Sequence, residues 1–220
     1  MSVPTLVIAN KRYSSWSLRP WLVMTHFGLP FREVGVLLDL PESKAEILRW
    51  SPSGRVPCLV DGDIRVWETL AIVEYLAERH PDLPIWPTDV AARAEARAIS
   101  NEMHAGFQAL RSACPMNLRK RFAWKPRGGE KAAADVARIV ELWRAARARF
   151  GAGGPFLFGA FSAADAMYAP VATRLDTYAW PLDADIRAYV DAVLDLPAFR
   201  AWKAAADLET ALVPSDEVED

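Results

Sequence analysis

Four hydroxyl side chains fall within five residues at Tyr13-Ser14-Ser15-Trp16-Ser17, directly before an apolar run that reads as a helix. A helix start presents free N–H groups and a partial positive charge. Hydroxyls placed there can hold a bound anion, and a thiolate above all. A free thiol titrates near pKa ~8.5, and each unit of depression requires about 1.4 kcal/mol of preference for the anion. One hydroxyl hydrogen bond plus the helix dipole is of the order needed for about one to two units. A second helix start of this kind lies at Glu68-Thr69, where an acid–hydroxyl pair opens a run carrying Leu70, Ile72, Val73 and Leu76. Shortly before it, Val56-Pro57 introduces a strand. These groups suit one small anionic ligand.

The elements that must position them alternate between strand and helix. Thr5 to Ala9 is a strand, and Ser17 to Phe27 a helix with Pro20 tolerated in its first turn. Gly28 ends that helix, and Phe31 to Val36 is a second strand. A short helix is expected within Pro41–Arg49, followed by the loop Ser51-Pro52-Ser53-Gly54. Cys58 to Val60 and Ile64 to Val66 form a hairpin about Asp61-Gly62, since glycine accepts positive φ without steric cost. The Pro-rich segment His80 to Thr88 reads as a linker.

Everything after it is helical in pattern. Ile99, Met103, Phe107 and Leu110 recur at helix spacing, as do Val136, Ile139, Val140, Trp143 and Phe150. Trp124 to Glu130 is expected to be a mobile surface loop. Ser162-Ala-Ala-Asp165 fits a capping box and begins a helix burying Met167, Val171, Leu175 and Tyr178, with a kink expected at Pro170.

On these motifs the chain resembles the glutathione transferase family. The resemblance implies an α/β plus all-α fold: a thioredoxin-like domain over residues 1–80, a linker at 81–88 and a helical bundle domain over 89–220. It implies a cis-proline at Pro57, with the Val56 backbone pairing to the cysteinyl part of glutathione. Glu68 and Thr69 would grip the γ-glutamyl amine and carboxylate. In the tau, omega and zeta classes the catalytic serine or cysteine lies five residues before an arginine of the first helix, and Arg19 points back to Ser14 in that register. The string also resembles the zeta-class SSCxWRVR motif, with Ser14 and Ser15 in the serine positions. It departs in having Trp16 where that class has cysteine, Leu18-Arg19-Pro20-Trp21 in the helix, and Thr69 in place of serine. Asn101 and His104 fall on the helix that lines the cosubstrate pocket in the family. Ser14 is thus expected to stabilise the thiolate with Ser15 in support. Glutathione is the cosubstrate, a small hydrophobic electrophile the acceptor, and no prosthetic group or metal is implied.

Other readings stand beside these. Ser15 or Ser17 serves equally as a helix N-cap. Tyr13 is a candidate hydroxyl, although the arginine register argues against it. A zeta-like cis–trans isomerase of the maleylacetoacetate type is the enzymatic alternative, and a non-catalytic glutathione-binding module the other. No cysteine lies in the opening loop, which disfavours thiol–disulfide exchange. Cys58 and Cys114 show no metal or CxxC spacing, and His26, His80 and His104 are too scattered for a metal set. The net charge of −2 gives no overall case for a nucleic-acid partner, and the basic stretch Arg119 to Arg127 reads as a solvated loop. Leu6 to Ala9 is too short an apolar run for a signal peptide or membrane span, so a cytoplasmic protein is expected. A homodimer follows from the family resemblance alone.

Overall fold

The computed structural model describes residues 3–219 of the chain. Its first half is a four-stranded mixed sheet of β1 (Thr5–Ala9), β2 (Arg32–Val36), β3 (Cys58–Asp61) and β4 (Ile64–Trp67), in the order β2-β1-β3-β4. β1 runs parallel to β2 and antiparallel to β3, and the β3–β4 hairpin turns at Gly62 with φ +60°. The pleat divides the sheet into two faces. Leu6, Ile8 and Leu59 pack beneath α1 (Ser15–His26) and α3 (Thr69–Arg79), whereas Val7, Val36 and Cys58 meet Ile47 and Trp50 of α2 (Ser43–Trp50).

The second half holds α4 (Val90–Ala105), α5 (Gln108–Ala113), α6 (Gly129–Phe150), α7 (Ala163–Thr177), α8 (Ala184–Leu194) and α9 (Pro197–Leu208). α7 is the central rod. Its alanine-rich sequence lets α1, α4 and α8 approach on several sides, and nearly all of its residues are buried. The linker is packed down: Ile85 is fully buried, and its carbonyl accepts from Ala163 N–H at 2.7 Å. Among the described residues, no helix is long and apolar enough to cross a membrane.

Three local expectations change. The first helix begins at Ser15, not Ser17, so Ser14 is its N-cap residue and Ser17 lies inside the first turn. The Ile99–Leu110 pattern spans two helices, because the chain breaks at Gly106 and Phe107 adopts φ +56°. All four apolar residues are still buried. Burial period alone therefore cannot reveal a break that keeps its side chains facing one core. The segment expected as a mobile loop is anchored, with Trp124 against Trp180 at 4.5 Å and the Arg127 guanidinium over Phe122 at 4.8 Å.

The expected capping box is formed: the Asp165 carboxylate accepts from Ser162 N–H at 2.9 Å, and the Ser162 side chain answers the backbone of the first turn. Asp165 also accepts from Leu157 N–H at 3.0 Å and the Tyr189 hydroxyl at 3.1 Å. Burial pushes its carboxyl up to about 6, against the pull of these donors. An amide there would turn an NH2 group toward donors. Asp165→Asn is expected to lower unfolding free energy by about 2–4 kcal/mol, read as a shifted urea midpoint.

Candidate active site

The starts of α1 and α3 lie against each other. The Thr69 hydroxyl donates to the Trp16 carbonyl at 3.1 Å, joining the two first turns. Thr69 is buried and its hydroxyl is engaged, so the α3 helix start as a whole, more than a free hydroxyl, is what could hold an anion here. Glu68 precedes it with φ +70°, a left-handed conformation uncommon for a residue with a Cβ. Its side chain caps nothing in α3 and reaches out toward His104, with Oε2 3.8 Å from the His104 Nε2. Strained backbone of this kind gathers at ligand clamps. The Val56–Pro57 peptide bond is cis, as the family resemblance implied.

Two adjoining cavities open here. One, of about 270 Å³, is lined by Trp16, Arg55, Val56, Pro57, Glu68, Thr69, His104 and Arg111. The other, of about 440 Å³, is lined among others by Tyr13, Ser14, Ser15, Gln108, Ser112, Met116, Arg174 and Asp216. Trp16, Arg55, Val56 and Arg111 border both. The residues expected to hold glutathione thus meet in the first cavity, and the two serines border the second. His104 comes to the first cavity, while Asn101 borders neither: it is exposed and its amide donates to the Arg97 carbonyl of its own helix.

The opening loop is organised by hydrogen bonds. Ser17 Oγ accepts from Ala9 N–H at 3.1 Å and from the Ser14 hydroxyl at 2.8 Å. Ser14 is buried, and Ser15 is partly exposed. The Tyr13 hydroxyl donates to the Glu217 carboxylate. Burial first, and that carboxylate next, push its pKa above the ordinary tyrosine value. A phenol already donating to a carboxylate is poorly placed to serve a thiolate.

Sequence reasoning used Arg19 only as a register mark and missed Arg111 and Arg174. Arg19 is buried, donating from Nε to the Met167 carbonyl at 2.9 Å and from Nη1 to the Ser15 carbonyl at 2.7 Å. Arg174 is buried as well, donating to the Cys114 and Pro170 carbonyls at 2.8 and 3.0 Å. The guanidiniums of Arg19 and Arg111 lie 4.2 and 4.9 Å from the Trp16 ring. Burial, then repulsion from Arg174 and Arg111, holds the Arg19 pKa well below its ordinary value. Burial, then Arg111, brings Arg174 down to about 10, and burial lowers Arg111 too. Among the described residues, no salt bridge to a carboxylate joins any of the three. A signal existed: Arg174 stands seven residues after Met167 and four before Tyr178, on the face the apolar spacing buries.

Geometry thus defines a two-domain protein with a thioredoxin-like sheet, a cationic cleft at two helix starts and an adjoining cosubstrate-sized cavity. Family models for the N-terminal and C-terminal domains of glutathione S-transferase match residues 13–79 and 123–205. The chain belongs to the glutathione S-transferase family. It is 37% identical over 108 residues to a probable maleylacetoacetate isomerase of Caenorhabditis elegans, covering 49% of each chain. It is 32% identical over 116 residues to a zeta-class glutathione S-transferase of Euphorbia esula, covering 52% of each. The chain therefore spans about half the length of the curated relatives it matches. A glutathione transferase homolog from Burkholderia gl BGR1, solved with bound glutathione, superposes with a TM-score of 0.70 at 22% identity, over 94% of this chain and 100% of that one. A diazinon-metabolizing glutathione S-transferase of the silkworm Bombyx mori gives 0.72 at 16% identity, over 93% and 97%.

Both cysteines are free and buried, and burial pushes their thiols up. Among the described residues, neither cavity is lined by a cysteine. Titration of the native protein with an aromatic disulfide reagent at neutral pH is expected to proceed slowly at Cys58 and Cys114, and to completion only on denaturation.

Proposed function

We propose that the chain binds glutathione across the starts of α1 and α3, ionises its thiol beside Ser14 and adds the thiolate to a small electrophile in the adjoining cavity. Residues 1–80 serve as the glutathione domain, 81–88 as linker and 89–220 as the helical domain. The observation that carries this reading is the junction of the two cavities at Trp16, Val56 and Arg111, beside both helix starts. Glu68 meets the ligand's amine, the α3 start its carboxylate, and the Val56 backbone its cysteinyl amide. Ser14 must turn from Ser17 to face sulfur. That exchange is favourable, because a neutral hydrogen bond contributes about 0.5–1.5 kcal/mol and one to a charged group about 1.5–3 kcal/mol. Ser15 stands beside it in support.

The arginines favour an anionic acceptor over a purely hydrophobic one. Arg111 and Arg174 border the cosubstrate cavity without salt-bridge partners among the described residues. They support the isomerase reading, as do the names of the relatives. In that reaction the thiolate adds to a cis double bond conjugated to a carbonyl, and the electron pair moves to oxygen as an enolate. The former double bond rotates, the enolate collapses, and the thiolate leaves with nothing consumed. Cationic groups stabilise the enolate most when its charge is fully developed. A cytoplasmic homodimer completes the proposal, supported by free cysteines and by Ile64 and Trp67 exposed on the edge strand β4.

Ser14→Ala is expected to raise the pKa of bound glutathione by about one to two units and to lower kcat/KM at neutral pH by about 10- to 100-fold. Ultraviolet thiolate absorbance against pH reads the first. No shift in that variant, with a shift in Ser15→Ala, would pass the role to Ser15. Retention on glutathione without turnover of any electrophile would favour the binding module.

Arg111→Gln separates the acceptors. Turnover of a cis-diene diacid is expected to fall about tenfold more than that of a neutral aryl halide. Equal losses would return the acceptor to the hydrophobic class.

A further inference from the structure

Beyond α9 the chain doubles back across the opening loop as a strap, residues 209–219, fixed at both ends. At its start the Glu209 carboxylate accepts from Lys11 N–H at 2.7 Å and Arg12 N–H at 3.0 Å, and the Arg12 guanidinium donates to the Glu209 carbonyl. In the middle, Val213 is buried. Beyond the short 3-10 turn Pro214–Asp216, the Glu217 carboxylate accepts from the Tyr13 hydroxyl and from Asn117 Nδ2 at 2.9 Å, and lies 3.3 Å from Lys120 Nζ. Burial alone would raise the Glu217 carboxyl, but the three donors outweigh it and hold it below its ordinary value. Glu217 is therefore an anionic latch gripped from two places in the chain, by Tyr13 in the opening loop and by Asn117 and Lys120 after α5.

What the latch positions is Asp216, among the described residues the one acid bordering the cosubstrate cavity, in a wall that also carries Arg55, Arg111 and Arg174. Asp216 makes no salt bridge among the described residues; burial raises the pKa of its carboxyl, while the nearby Arg174 favours the charged form. An incoming carboxylate drawn to Arg174 meets that charge as well. A neutral acceptor does not.

We propose that Asp216, held in the cavity wall by the Glu217 latch, is a specificity-determining residue that limits how strongly the cavity takes carboxylate-bearing molecules. The inference rests on the reading of that cavity as the acceptor site, but its test does not require thiol chemistry. Benzoate and succinate are titrated calorimetrically into the full chain without glutathione, at neutral pH. Asp216→Asn, which keeps the side chain's shape, is expected to bind both at least about fivefold more tightly than the parent chain. Glu217→Ala frees the strap and is expected to move affinity the same way. The double variant should show less than the sum of the two effects, because the latch acts through Asp216. Tyr13→Phe removes one donor to Glu217 while leaving its charge, and should give a smaller rise. Circular dichroism and melting identify any variant that has lost its fold, and then the remaining variants decide.

Equal affinities in the parent and Asp216→Asn, or no binding by either, overturn the proposal. So does an unchanged affinity in Glu217→Ala with Asp216→Asn shifted, since the latch would then not place the charge. Heat on adding glutathione, and turnover of a neutral aryl halide, are measured alongside. Their failure with the carboxylate result intact would sink the transferase reading while leaving Asp216 as a filter for anions.

Discussion

Placing three guanidiniums together without a salt-bridging carboxylate among the described residues is the constraint on which this structure depends. Taking a cation out of water is costly, and proteins ordinarily answer with a paired acid. Here the answer for Arg19 and Arg174 is main-chain carbonyls, from Ser15 and Met167 for one and Cys114 and Pro170 for the other, with the Trp16 ring beside Arg19. Carbonyl dipoles satisfy the donors without cancelling the charge. The field is therefore left to act on whatever enters the cleft; burial lowers the pKa of all three, and repulsion from neighbouring guanidiniums adds to it at Arg19 and Arg174. Arg19 also binds α1 to α7, so the group that biases the site toward anions is one that joins the two halves of the molecule.

Around that charge the fold arranges two helix starts. Thr69 ties the first turn of α3 to the first turn of α1 through the Trp16 carbonyl, and the free N–H groups of both turns then add to the arginines. The effects reinforce one another because they share a sign and a low-dielectric setting. A sulfur placed between them is favoured as thiolate by several modest terms, none of which must be large. The missing cysteine in the opening loop agrees with the proposed division, in which the protein supplies the field and the ligand the nucleophile.

Much of this was legible in the residues, because the first half is written in short-range signals. A continuous apolar β1, a glycine hairpin, a proline before β3 and an acid–hydroxyl pair before α3 each act within a few residues, and the sheet follows from them. The capping box at Ser162 and Asp165 was legible for the same reason. What resisted reading depends on distant partners. Ser17 looks like a cap in sequence, but its hydroxyl is drawn inward by the Ala9 N–H, which moves the helix start to Ser15. Asn101 lies on the expected helix yet faces solvent, since a residue's helix does not settle its face. Arg111 and Arg174 have the composition of surface residues, and only the packing of α5 and α7 beside Trp16 reveals them as cavity wall.

On the proposed function, the strap bears on which hydroxyl would remain for sulfur. Tyr13, Ser14 and Ser15 are equivalent in composition, and each sits at the mouth of the same cavity. Tyr13 is removed from contention by Glu217, a residue more than two hundred positions away, whose carboxylate takes its proton in a hydrogen bond. A tyrosine so held is a poorer acid than a free one, and a hydroxyl that has become a poorer acid also donates less readily to a thiolate. The serines carry no such competitor of full charge. Ser14's partner is a neutral hydroxyl, which a sulfur anion can displace. In the proposed reaction the choice of activating group would thus be made by the far end of the fold, through the electrostatics of one carboxylate, and not by the local motif.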